Sequence, residues 1–132
     1  MSDAESGQAA IETIKSFLAA MEDRDLERAS SFLSKDFQML FPGGETFREL
    51  GELVAWAKPR YQWVKKDYDR FDPCSAGSET IVYCYGTLYG KWPDESEFKG
   101  IRFIDRIVVK DGKLTDQKVW NDLAEVVSRD KI

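Results

Sequence analysis

Between Gly100 and Lys110 the residues alternate in character, and one aspartate breaks the pattern. One parity reads Ile101, Phe103, Asp105, Ile107 and Val109; the other reads Gly100, Arg102, Ile104, Arg106, Val108 and Lys110. Successive side chains of a strand point to opposite faces, so the more apolar row looks inward and Asp105 stands in it as a lone charge. A buried carboxyl must be hydrogen-bonded, paired or protonated. Desolvation disfavours the ionised form, and a carboxyl perturbed in this way inside a cavity is a candidate general acid, general base or oxyanion donor. The same side chain could equally accept hydrogen bonds from a tyrosine, a tryptophan or a backbone amide and do no chemistry.

The rest of the composition narrows what Asp105 could work with. The sequence has no histidine. Ser-His-Asp and Cys-His activation are therefore excluded, as is a His-based metal site. The two cysteines, Cys74 and Cys84, lack a metal-type spacing and read as reduced thiols of a cytoplasmic protein. Acid-base chemistry falls to a carboxylate, Tyr, Lys or Cys. No phosphate-cradling glycine loop occurs, and Phe41-Pro42-Gly43-Gly44 reads as a turn. No cofactor is implied. A formal net charge of -5 argues against nucleic acid as a partner. Lys65-Lys66, the one adjacent basic pair, reads as a solvated strand edge. The acidic start Met1-Ser2-Asp3-Ala4-Glu5 is not a signal peptide, and no apolar run approaches the roughly 20 residues that span a bilayer.

Asp105 must be positioned by a helical first half and a β second half. Residues 1 to about 8 read as a frayed, disordered tail. Ala10, Ile11, Ile14, Phe17, Leu18 and Met21 recur at helical spacing and predict a helix of about 14 residues. Asp25 caps a second helix that buries Leu26, Ala29, Phe32 and Leu33. Phe37, Met39 and Phe41 alternate as a short strand. Thr46 and Glu49 form a capping box before a third helix, with Leu50, Leu53, Val54 and Ala57 on one side and a stop at Lys58-Pro59. Strands follow over 61–71, 79–92, 98–110 and 113–121, with a loop at 74–78 and a hairpin at Asp111-Gly112. Sequential hairpins predict an antiparallel meander. The fold class is α+β, as a single domain over 9–125 with a C-terminal tail at 126–132.

Interior glycines at Gly86 and Gly90 predict bending. Helices that cover only part of a concave sheet leave a cavity. The strand 79–92 divides into Ile81, Tyr83, Tyr85, Thr87, Tyr89 and Val82, Cys84, Gly86, Leu88, Gly90. Either the smaller set faces inward and leaves room for a ligand, or the tyrosines fill the core. The last strand divides into Leu114, Asp116, Lys118, Trp120 and Thr115, Gln117, Val119, Asn121. With the second set inward, Gln117 and Asn121 come near Asp105; with the first inward, they are solvated. An outward row of Tyr83, Tyr85 and Tyr89 beside Arg102 and Arg106 would be an exposed aromatic patch, which a second copy could cover as a homodimer.

The order of elements, with Phe103-x-Asp105, Asp111-Gly112-Lys113-Leu114 and Trp120-Asn121-Asp122-Leu123, resembles the SnoaL-like group of the nuclear transport factor 2-like superfamily over about residues 8 to 125. The resemblance implies a cone of three N-terminal helices packed on a strongly curved antiparallel sheet, with an internal pocket and dimerisation through the convex face of the sheet. The superfamily includes ketosteroid isomerases, polyketide cyclases, limonene epoxide hydrolases and dehydratases. In register with the hairpin, Asp105 is similar to the protonated oxyanion-hole aspartate of the ketosteroid isomerases. Phe17 then stands where those enzymes have their catalytic tyrosine, and Phe41 where they have the general-base aspartate. Val119 stands where the epoxide hydrolases have a last-strand aspartate.

The resemblance also favours the outward tyrosine row. With the small residues Cys84, Gly86 and Leu88 inward on a bent strand, the candidate aromatic wall of the pocket is Phe17, Phe41, Trp56, Trp63 and Phe103. The register of the resemblance turns Gln117, Val119 and Asn121 toward the pocket with Val82, Cys84, Gly86 and Leu88, and all of these but Val82 are candidate pocket residues. The implied function is a pocket for a small apolar or aromatic ligand, in an isomerase, cyclase or dehydratase that acts on a hydrophobic metabolite by carboxylate acid-base chemistry. The alternative is a non-catalytic ligand-binding or dimeric interaction module. A second polar group within hydrogen-bond reach of Asp105 across the cavity would separate the two; a pocket of only Asp105, rings and aliphatics would favour binding.

Overall fold

The computed structural model describes residues 2–130, with side chains described to 127. Helix α1 (Asp3–Glu22) starts earlier than its apolar spacing predicts. Ser2 Oγ accepts from the Glu5 N–H at 3.1 Å, and the Glu5 carboxylate accepts from the Ser2 N–H at 3.4 Å. This reciprocal box satisfies two otherwise orphaned amides. The frayed tail expected over residues 1 to about 8 is thus helix from Asp3 onward, begun by a polar signal that lies outside the hydrophobic repeat.

Helix α2 (Leu26–Ser30) has the expected Asp25 cap, with the Arg28 N–H donating to Asp25 Oδ1 at 3.2 Å. It ends before Phe32 and Leu33, which were expected on its buried face. The Phe32 carbonyl instead accepts from the Leu114 N–H at 2.9 Å, and Leu33 opens strand β1 (Leu33–Phe41). A 3-10 turn at Pro42–Gly44 leads to β2 (Glu45–Phe47), where Thr46 pairs with Leu40. Thr46 is therefore not a helix cap. The box moves to Glu49 and Glu52, with the Glu49 N–H donating to Glu52 Oε1 at 3.1 Å, and opens helix α3 (Leu50–Ala57).

Strands β3 (Trp63–Ala76), β4 (Glu79–Lys91), β5 (Glu97–Lys110) and β6 (Lys113–Asn121) follow. The expected loop at 74–78 shrinks to a Gly77-Ser78 turn. The Asp111-Gly112 hairpin has the anticipated geometry, with φ of 52° and 74°. Of the C-terminal tail expected at 126–132, the described part is helix, within α4 (Leu123–Asp130), whose Val126 packs against Leu88, Phe98, Ile101 and Phe103; 131–132 lie outside the described residues. No helix among the described residues is long and apolar enough to cross a membrane.

The six strands form one unclosed sheet in the order β2-β1-β6-β5-β4-β3. It is mixed rather than wholly antiparallel, because β1 runs parallel to β6. Only the last four strands form the predicted meander. Register shifts between Tyr68 and Arg70, Leu88 and Gly90, and Val108 and Val109 bend it. The last of these explains β6. Leu114 faces Val109 while Asp116 faces Val108, so the parity flips at Thr115 and both Leu114 and Gln117 are buried.

The glycines of β4 permit close approach of neighbouring chain. A Cβ on Gly86 would lie 1.9 Å from the Asp67 carbonyl oxygen, and one on Gly90 would lie 2.2 Å from that of Trp63. Helix α1 crosses β3 and β4 on the concave side. Ile14, Phe17, Met39, Val82, Ile107 and Leu114 centre one core cluster; Leu88, Phe98, Ile101 and Phe103 form a second.

Candidate functional site

A cavity of about 120 Å³ opens where the two clusters meet. Helices α1 and α3 supply Phe17, Leu53 and Trp56, β1 supplies Phe41, and the sheet supplies Leu88, Phe103, Asp105, Gln117, Val119 and Asn121. Nine of the expected pocket residues, counting Asp105, thus lie around one space. Three do not. Cys84 lies in the core behind Asp105, its register partner. The Gly86 position is occupied by the β3 backbone, so its missing side chain makes room for a neighbouring strand and not for a ligand. Trp63 has the opposite parity and lies on the outer face edge-on to Tyr89, with centroids 6.0 Å apart.

Asp105 is fully buried on the inward face. Of the three states open to a buried carboxyl in that row, pairing is the one realised. Lys66 Nζ donates to Asp105 Oδ2 at 2.6 Å and stands 5.0 Å from the Phe103 ring centroid. The Lys66 side chain is 20% exposed and Asp105 0%, so the pair is sheltered from water on all but one side. The reading of Lys65-Lys66 as a solvated edge holds for exposed Lys65 and fails for Lys66. A sequence signal did exist: Val64, Lys66 and Tyr68 share one parity of β3. A lone lysine in that row is the complement of a lone aspartate in the row on β5.

Asp105 Oδ1 and the Tyr68 hydroxyl are buried and have no hydrogen-bond partner within the described protein, and both residues line the cavity. The Tyr68 ring meets Phe103 edge-on at 5.8 Å. Burial raises the Tyr68 pKa, against the pull of Lys66. Burial is the largest single influence on Lys66 and opposes its charge, but Asp105, Tyr68 and Cys84 together turn the net direction up, so Lys66 stays an ammonium. The Cys84 thiol is pushed up to about 12, first by burial and then by Asp105, which makes it a neutral packing group and not a nucleophile. Asn121 is partly committed elsewhere, since its Oδ1 accepts from the Leu123 N–H at 3.1 Å at the start of α4. Among the described residues no three His, Cys, Asp or Glu side chains gather as metal ligands would.

Chemically, the site is a greasy chamber with one lysine–aspartate pair and one neutral phenol at its inner, polar end. Lys66 and Tyr68 are absent from the expected site, because the parity row that holds them is masked by the adjacent Lys65 until the pairing of β3 with β4 fixes which row faces inward.

No family model matches the chain, and no curated protein matches it. Solved structures do. TerC, co-crystallised with polyporic acid, is 20% identical with a TM-score of 0.74, covering 91% of this chain and 96% of that one. A provisionally assigned dehydratase of the NTF2-like family from Streptomyces avermitilis is 15% identical with a TM-score of 0.73, covering 89% of this chain and 97% of that one. A provisionally assigned SnoaL-like polyketide cyclase from Jannaschia sp. CCS1 is 12% identical with a TM-score of 0.69, covering 92% and 90%. What is shared at these identities is the fold.

Proposed function

We propose, from the premise that the chain has the nuclear transport factor 2-like fold of the SnoaL-like proteins, that it holds a small ligand with an apolar or aromatic body and one polar group turned toward Asp105. Asp105 then acts as the acid-base group of an isomerase, cyclase or dehydratase reaction. The observation behind this reading is the buried, unpartnered Asp105 Oδ1 beside an equally unpartnered Tyr68 hydroxyl in an otherwise apolar cavity. Native proteins satisfy nearly all buried polar atoms, and a ligand group can satisfy both of these together. A proton from carbon or oxygen of the ligand passes to Oδ1. The Tyr68 hydroxyl donates to the oxygen that gains charge. Lys66 remains on Oδ2 and holds the carboxylate in place. The solved neighbours that share the fold include a provisionally assigned polyketide cyclase and a provisionally assigned dehydratase.

The test is proton exchange in D2O with small cyclic ketones and β-hydroxyketones, followed by NMR. Wild type should exchange α-protons or expel water, and Asp105→Asn should be slower by about a hundredfold or more while keeping its fold. Equal rates in the two proteins would defeat the catalytic role. Binding without exchange in either would leave the non-catalytic ligand-binding module.

A homodimer through the convex face is the second proposal. Tyr83, Ile104 and Trp120 are exposed there on three adjacent strands, and Ile104 lies opposite both Tyr85 and Trp120. Trp63 extends this row beside Tyr89. The same face carries Arg102 and Arg106 with Asp116 and Lys118, so it offers both charge signs to a two-fold copy of itself.

A further inference from the structure

Of the residues that line the cavity, Arg24 and Arg60 alone have exposed side chains; the others are half-buried or buried. The mouth is therefore marked by two guanidiniums, in a chain whose net charge is -5. Both are held in place. Arg24 follows the end of α1 with a φ of 57°, a left-handed conformation that is uncommon for a residue other than glycine. Its guanidinium donates to the Met21 carbonyl at 2.8 Å and lies close enough to Tyr61 to pull that phenol's pKa down against burial. Arg60 lies over the Trp56 ring, 4.2 Å from its centroid. Tyr61 and Trp56 both line the cavity, so the cations are fixed to its walls.

The remaining charges do not cancel this pair. Asp105 is matched by Lys66 at the inner end. Glu22 is half-buried near Lys65 and Lys66, and burial raises its pKa against their pull. The lining as a whole holds Arg24, Arg60 and Lys66 against Glu22 and Asp105, an excess of one positive charge. The volume of about 120 Å³ sets the size of what can be buried. An apolar cavity of about 150 Å³ holds benzene, so one ring or a short chain fills this one.

We infer that the ligand is a small organic carboxylate, its anionic end at the mouth between Arg24 and Arg60 and its single ring or short chain inside. A hydroxyl or carbonyl at its far end meets Asp105 Oδ1 and Tyr68. This rests on the pocket reading above and adds to it the charge, size and direction of the ligand. Guanidinium recognises carboxylate through paired, charge-assisted hydrogen bonds. A neutral analogue of equal shape keeps the apolar contacts and loses that pairing.

The experiment is calorimetric titration of the full chain with para-hydroxybenzoate, para-hydroxybenzamide and para-cresol. The acid should bind at least about tenfold more tightly than either neutral probe, with a preference that shrinks as salt is raised. In the double variant Arg24→Gln, Arg60→Gln that preference should vanish while amide and cresol binding persist. Each single variant is measured too, with its fold checked by circular dichroism, so an unfolded double variant leaves the comparison intact. Equal binding of the three probes to wild type overturns the carboxylate inference and leaves the pocket reading standing. A preference that survives loss of both arginines overturns the placement at the mouth. Failure of all three to bind removes both.

Discussion

The Lys66–Asp105 pair is where a single atom change tells most. Breaking a buried pair leaves one uncompensated charge, which costs more than the pair itself contributes. Lys66→Met is expected to lower stability by about 3–5 kcal/mol in urea unfolding, and adding Asp105→Leu to it should recover much of that loss. A double variant no better than the single would mean that the ion pair is not the relevant interaction. Four groups here, Lys66, Tyr61, Tyr68 and Cys84, have folded pKa values above their ordinary ones. A raised folded pKa gives stability that is present below the unfolded pKa and lost as pH rises through the folded value. The loss therefore begins near the ordinary thiol value of about 8.5 and continues past that of lysine, about 10.4. Urea midpoints should fall steadily over that range, and Cys84→Ala should flatten its lower end. A flat profile from pH 8 to pH 11 would contradict these assignments, that range being roughly the span of ordinary thiol and lysine titration. Asp105 was readable from sequence because an alternating row exposes a misfit. Lys66 was not, since adjacency to Lys65 masked the parity that separates them.

At the scale of elements, Gly86 and Gly51 make a matched pair. Gly86→Ala drives a methyl into the Asp67 carbonyl, whereas a Cβ at Gly51 in α3 meets nothing within 4 Å. The first substitution is expected to destabilise by about 1–3 kcal/mol or more, through forced backbone shifts. The second should stabilise by about 0.5–1 kcal/mol, since alanine is the better helix former. Thermal melts of the two variants check both signs. Local signals explain which elements could be read. The Asp111-Gly112 hairpin, the ends of β6 and the span of α3 depend on residues close in the chain. Phe32 and Leu33 looked helical because their true partner, Leu114, lies far along the sequence, and non-local pairing overrode a short local periodicity. For the same reason the parallel β1–β6 contact was invisible, and the mixed sheet with it. The early start of α1 and the existence of α4 were missed for a different cause: polar caps, not apolar repeats, fix those ends.

For the whole molecule, the outer face decides the assembly. Trp120 is 49% exposed beside Ile104 and Tyr83, and an aromatic patch of this kind is stabilised by self-association. Sedimentation at micromolar concentration should give a dimer, and Trp120→Glu or Tyr85→Glu should shift it to monomer. A wild-type monomer, or a dimer indifferent to both charges, would count against the convex interface. The opposite face raises a matter of breathing. Strand β3 is the last in the sheet and is hydrogen-bonded on one side only, to β4, whereas β5 lies between two neighbours. Edge strands open at lower free energy than interior ones, so amides of β3 should exchange with solvent sooner than those of β5. Lys66 and Tyr68 ride on the strand that loosens first, while Asp105 stays on the one that loosens last. The polar end of the chamber is thus divided between an early-exchanging and a late-exchanging strand: each excursion of β3 draws the Lys66 and Tyr68 side chains away from Asp105.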